Sequence, residues 1–120
     1  MEPHMKPTIT IDDFAKLEIR IGKVVEASIP EGSNKLIRQV VDFGEEIGRK
    51  IVFSGIQSFY AVEDLIGKQL PYLVNLEPRA MMSEQSQGML LAAAPETEEG
   101  AHGCVLLSPI APVVNGTPII

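Results

Sequence analysis

The side chains best suited to chemistry lie between residues 75 and 91: Asn75-Leu76-Glu77-Pro78-Arg79, then Ser86-Gln87-Gly88-Met89-Leu90-Leu91 after a short interval. They are hydrogen-bonding groups and one cation, which suit holding an anionic backbone better than breaking a bond. An apolar run, Leu70 to Leu76, ends in the Pro-containing turn, and a second, Met89 to Ala94, starts after the polar Ser-Gln-Gly hinge. Asn75, Arg79, Ser86 and Gln87 are therefore expected together at one end of a sheet, where small β barrels build binding sites. A second cluster, Ser33, Asn34 and Lys35 with Arg38 just beyond, follows the turn signal Pro30-Glu31-Gly32. Singly, each polar residue has a plain reading in turn chemistry, Ser33 and Asn34 above all. Jointly, if the two clusters converge on one barrel face, they fit a folded RNA, which is held through phosphates, 2′-hydroxyls and shape with few aromatics. Stacking on single strands needs exposed rings, and of Phe14, Phe43, Phe53, Phe59, Tyr60 and Tyr72 only Tyr60 is expected to be exposed.

Catalytic arrangements are not evident. The carboxylate pairs Asp12/Asp13, Glu45/Glu46, Glu63/Asp64 and Glu98/Glu99 fall in turns or on an expected helix, where they cap or solubilise. Ser54-Gly55 and Ser86-Gln87-Gly88 do not make the Gly-x-Ser-x-Gly elbow, and Gly44 to Gly48 lacks the Lys-Ser/Thr of a phosphate loop. Cys104 is the single cysteine and reads as a small strand hydrophobe; with only His4 and His102 it makes no zinc ligand set. No enzyme activity, metal or cofactor is expected.

The formal net charge of −6 opposes nucleic acid as a whole, but distribution matters more than the sum. All ten Lys and Arg residues lie between Lys6 and Arg79, while the last forty positions carry only the acidic Glu84, Glu96, Glu98 and Glu99. An anion-binding face must come from the first two-thirds of the chain.

The elements that would position these residues follow from periodicity. Residues 1–8 read as a tail, with His4-Met5 resembling a cloning junction, and one domain spans 9–120. Residues 11–16 fit a helical turn capped by Asp12 or Asp13 with Phe14 inward. Leu17 to Ala27 reads as one strand bent at a bulge near Gly22, Leu36 to Phe43 as a second and Lys50 to Ser54 as a third. Residues 58–65 have helical spacing, 70–76 and 88–94 form the fourth and fifth strands, 95–103 an acidic loop and 105–107 a short closing strand. This order is that of an all-β fold with minor α content: a five-stranded OB-type barrel with one short helix between strands 3 and 4 and a C-terminal extension. An SH3-like barrel and a β-sandwich are the alternatives. No apolar stretch reaches the roughly 18 residues of a membrane span, and a cytoplasmic location is expected.

At the level of motifs, Ile11-Asp12-Asp13-Phe14-Ala15-Lys16-Leu17-Glu18-Ile19-Arg20-Ile21-Gly22-Lys23-Val24, Glu31-Gly32-Ser33-Asn34-Lys35-Leu36, Phe53-Ser54-Gly55-Ile56, Leu65-Ile66-Gly67-Lys68, Asn75-Leu76-Glu77-Pro78-Arg79 and Ser86-Gln87-Gly88-Met89 occur in order. This set resembles the tRNA-binding domain at the C terminus of methionyl-tRNA synthetases and its free-standing homologues, over about residues 9–119. The resemblance implies an OB barrel with a C-terminal extension, a homodimer, and a non-catalytic module that raises the local tRNA concentration for a synthetase, in cis or as a separate subunit. It also implies RNA contacts from Lys35, Arg79, Ser86 and Gln87, with Arg20, Lys23 and Arg38 secondary. Where the family commonly shows Lys-Pro-Arg-Lys-Met-Arg, this chain has Glu77-Pro78-Arg79-Ala80-Met81-Met82, fewer positive charges and one added negative. The catalytic signatures of class I synthetases, His-Ile-Gly-His and Lys-Met-Ser-Lys-Ser in type, are absent. A second reading is a homodimeric protein-binding domain similar to the small bacterial secretion chaperone of the same fold, with Met81-Met82 against apolar peptides.

Overall fold

Thr10 begins the first element of the computed structural model, which describes residues 5–98 and 100–120. Its hydroxyl accepts from the Asp13 backbone N–H (3.2 Å), and the Asp13 carboxylate accepts in return from the Thr10 N–H (3.4 Å). This capping box starts α1, Ile11–Phe14, so Thr10 and not Asp12 or Asp13 is the N-cap. Phe14 is 37% exposed, contrary to the expected inward position. The expected tail and its His4-Met5 junction fall partly outside the described residues, as does Glu99 of the Glu98/Glu99 pair.

Strand β1, Ile19–Ser28, is long enough to serve two neighbours: its first half pairs with β4, Gln69–Leu73, and its second with β2, Ile37–Asp42. The bulge that lets it turn the corner falls between Val24 and Glu26, not at Gly22. Gly22 has another reason to lack a side chain. A Cβ there would overlap Val41 and come within 2.5 Å of the Phe43 ring. Strand β2 pairs with β3, Arg49–Ser54, across the short α2, Gly44–Ile47. Between β3 and β4 the expected helix contracts to one 3-10 turn, Val62–Asp64, because Asp64 caps the Ala61 N–H at 3.0 Å and only Leu65 of its apolar positions is fully buried.

The expected fifth strand is divided. An unforeseen hairpin, β5 (Arg79–Met81) and β6 (Glu84–Ser86), precedes β7 (Met89–Leu90), which pairs with β4. The remainder becomes β8, Ala92–Ala93, paired with β9, Val105–Leu106, in the C-terminal extension. Residues 116–119 then return along the free edge of β1, through Ile21 N–H to Thr117 O at 2.9 Å and Ile119 N–H to Ile19 O at 2.8 Å.

The sheet order β3-β2-β1-β4-β7 makes a nearly closed five-stranded OB-type barrel. Inside are Val24, Ile37, Val41, Phe43, Val52, Leu65, Leu70 and Tyr72, with Phe43 and Tyr72 edge to face at 5.5 Å. A buried polar chain crosses this core: the Tyr72 hydroxyl donates to Gln39 Oε1, and Gln39 Nε2 donates to Ser54 Oγ at 2.8 Å.

Candidate nucleic-acid interface

The barrel closes at β3 through the Ser-Gln-Gly segment itself. Gln87 N–H donates to the Ile51 carbonyl and Gln87 Oε1 accepts from the Ile51 N–H, both at 2.8 Å. Ser86 Oγ accepts from the Phe53 N–H at 3.0 Å and donates to the Gly88 carbonyl at 3.2 Å. A side-chain amide and a hydroxyl thus stand in for strand hydrogen bonds, and Ser86 is 5% exposed. Asn75 is engaged as well, its Oδ1 accepting from Glu18 N–H (2.9 Å) and its Nδ2 donating to Lys16 O (2.7 Å), which pins the segment entering β1.

Beside this seam Arg38, from the first polar cluster, comes into line with Ser86 and Arg79 of the second. Arg38 of β2 lies opposite Phe53 of β3, Phe53 bonds to Ser86, and Ser86 pairs with Arg79 across the hairpin. At strand spacing this row is on the order of 15 Å long. The loop preceding β2 stands at the same end: Ser33 Oγ accepts from the N–H groups of Lys35 (3.3 Å) and Leu36 (3.0 Å), leaving Asn34 and Lys35 exposed. A groove of about 450 Å³ runs between that loop, at Pro30 and Glu31, and the hairpin tip, at Met82 and Ser83, over a floor of Arg38 and Phe53.

The cations differ in availability. Lys35 and Arg79 make no ion pair among the described residues. Arg38 is held by Glu84 through Nε–Oε1 at 2.6 Å and Nη2–Oε2 at 3.0 Å. The hydrogen bonding that Arg38 donates to Glu84 is the main cause both of the raised Arg38 pKa and of the lowered Glu84 pKa. Arg20 and Lys23 do not join the row. Arg20 is tied to Glu18 (2.6 Å), Glu46 (3.4 Å) and the Gly116 carbonyl (2.9 Å), where it fastens the C-terminal return. Lys23 opens on a different groove, with Lys68, Gln69 and Asn115. Tyr60, the ring expected in solvent, is half-buried and accepts from Leu106 N–H at 3.1 Å, whereas Phe59 is 45% exposed. Glu84 and Phe53 were not among the expected site residues, because a contact spanning 46 positions leaves no local pattern. Among the described residues no His, Cys, Asp or Glu group is arranged to hold a metal, and no helix is long and apolar enough to cross a membrane.

A barrel closed at one end by polar side chains, with a loop and a hairpin bordering a groove, is an OB-type binding domain. A family model described as "Putative tRNA binding domain" matches residues 19–118, and the chain belongs to that family. It is 48% identical to the methionine–tRNA ligase of Ralstonia nicotianae over 97% of this chain and 17% of the ligase, and 41% identical to that of Methanocella arvoryzae over 99% and 16%. The chain thus spans about one-sixth of the ligases it matches. Among solved structures, the chaperone CsaA of Bacillus anthracis superposes with a TM-score of 0.83 at 36% identity, covering 95% of this chain and 100% of that one. A MetRS related protein from Pyrococcus horikoshii does so with a TM-score of 0.84 at 31% identity, covering 96% and 100%.

Proposed function

We propose that the chain is a non-catalytic tRNA-binding module that raises the tRNA affinity of a methionyl-tRNA synthetase, in cis or as a separate subunit, in the cytoplasm. The observation carrying this reading is the row of Arg38, Phe53, Ser86 and Arg79, which brings an exposed Arg79 alongside β3, with Lys35 exposed in the loop just before β2; neither Lys35 nor Arg79 makes an ion pair among the described residues. Lys35 takes a phosphate as a point charge and Arg79 through its two-bond fork, while an acidic remainder repels RNA elsewhere and so limits where it docks. Its contribution is effective concentration: RNA held at the barrel stays near a catalytic partner, and no bond is made or broken by these residues. Ser33, Asn75, Ser86 and Gln87 act in this scheme by holding the loop, the strand entry and the seam, with Asn34 free to reach RNA. Ile11, Phe14 and Leu17 near the start, and Ile110, Val114 and Ile120 near the end, are exposed apolar side chains that support a homodimer.

The test is a salt titration of bulk tRNA binding. Neutralising about three or four phosphates predicts a slope of log affinity against log salt of roughly −2 to −4, and Arg79→Ala should flatten it by about one unit. One observation favours a second reading, a protein-binding domain: Met82 is 56% and Met89 43% exposed, close to the same groove. A flat tRNA curve together with saturable capture of an unfolded polypeptide would select that reading instead.

A further inference from the structure

The groove between the loop and the hairpin has a single cation in its floor, Arg38, and that cation is already satisfied. A guanidinium fork accepts a carboxylate and a phosphate in the same two-bond geometry, so the Glu84 carboxylate occupies the place that a phosphodiester oxygen pair would take. Taking the tRNA-binding reading as its premise, we propose that Glu84 is a built-in competitor for RNA, a latch that an incoming backbone phosphate displaces from Arg38.

The mechanical setting suits a latch. The β5–β6 hairpin forms its own two-stranded sheet outside the barrel sheet. Its base is anchored at Ser86 and Gln87, while its Met82-Ser83 turn, with Met82 at a φ of 59°, overhangs the groove. Glu84 lies two residues from the anchored base, so a small swing of the strand above it withdraws the carboxylate without opening the seam. The Arg38 and Glu84 side chains retain 28% and 37% exposure, so water and salt reach this two-bond pair and a phosphate offering the same geometry can compete for the guanidinium. RNA therefore gains a third cation, beyond Lys35 and Arg79, only by moving the hairpin.

The experiment compares tRNA binding across salt for the wild type, Glu84→Gln, the double variant Arg38→Gln with Glu84→Gln, and Glu77→Gln. The last makes the same charge change on the segment leading into the hairpin, and Glu77 has no bond to Arg38. Glu84→Gln should bind tRNA about three- to ten-fold tighter with the slope within about half a unit of wild type, as the same phosphates are neutralised without a carboxylate to displace. Adding Arg38→Gln should abolish the gain and flatten the slope by about one unit relative to wild type, as the third cation is lost. Glu77→Gln should stay within about twofold, a general charge effect. The inference is overturned if Glu84→Gln and Glu77→Gln behave alike, or if the gain survives loss of Arg38, while wild-type binding keeps its salt dependence. Absence of tRNA binding by every variant at low salt removes the tRNA reading itself, and this proposal with it. Tighter capture of an unfolded polypeptide by Glu84→Gln, with tRNA binding unchanged, also overturns it. Urea midpoints for each variant confirm that folded protein is compared.

Discussion

Replacing Ser86 by Ala separates a role in barrel closure from a role in ligand contact. The change removes the acceptor of the Phe53 N–H and the donor to the Gly88 carbonyl, at a position 5% exposed. Leaving a buried N–H unpaired costs about 1–3 kcal/mol. A small cavity of about 50 Å³, lined by Phe53, Arg79, Ser86 and Gly88, adjoins the site, and that is room for a water that bridges to the orphaned group. The expected loss is therefore in the lower part of that range, about 1–2 kcal/mol. With a urea slope of about 2 kcal/mol/M, the unfolding midpoint drops by roughly 0.5–1 M. Since the hydroxyl faces the seam, tRNA affinity measured far below the midpoint should change by less than about twofold, a smaller effect than one lost charged contact. A midpoint equal to wild type, with binding lost, would refute the reasoning and return Ser86 to the ligand.

Two further outcomes probe the core. Gly22→Ala sets a methyl against Val41 and Phe43 and should destabilise by about 1–3 kcal/mol, read as a lower Tm, without changing the slope of tRNA binding against salt. Tyr72→Phe strands Gln39 Oε1 inside the barrel and should cost about 1–3 kcal/mol by urea unfolding. Burial holds the Tyr72 phenol protonated well above its ordinary pKa. The sign follows: the contribution is complete below about pH 10, where the unfolded tyrosine begins to ionise, and is lost as pH rises toward the higher folded value. Stability should thus fall by roughly 1.4 kcal/mol per pH unit from this group above pH 10, and Tyr72→Phe should remove that component of the decline.

Much of the barrel was legible in the residues because local periodicity carries it. Leu17 to Ala27, Leu36 to Phe43 and Lys50 to Ser54 mark the first three strands, and the observed β1, β2 and β3 lie within one or two residues of them. The location of the polar clusters at one end was legible too, since turn residues and strand ends impose it. The use of each side chain was not. Gln39, a polar residue in the second expected strand, sits wholly inside, where Tyr72 and Ser54 pair with it from 33 and 15 positions away. The residues of the Ser-Gln-Gly segment look like ligand donors, yet they hydrogen-bond β3, as the register leaves the main chain of β7 short of closing the ladder there. Arg38 looks like a free cation until the hairpin carries Glu84 onto it. Sequence alone determined which segments extend, where they turn and on which part of the chain positive charge can gather. Tertiary structure decided which polar groups are consumed in holding the barrel and which remain for a partner, because a hydrogen bond between distant residues depends on strand register and loop path, and neither is encoded in the neighbours of either residue.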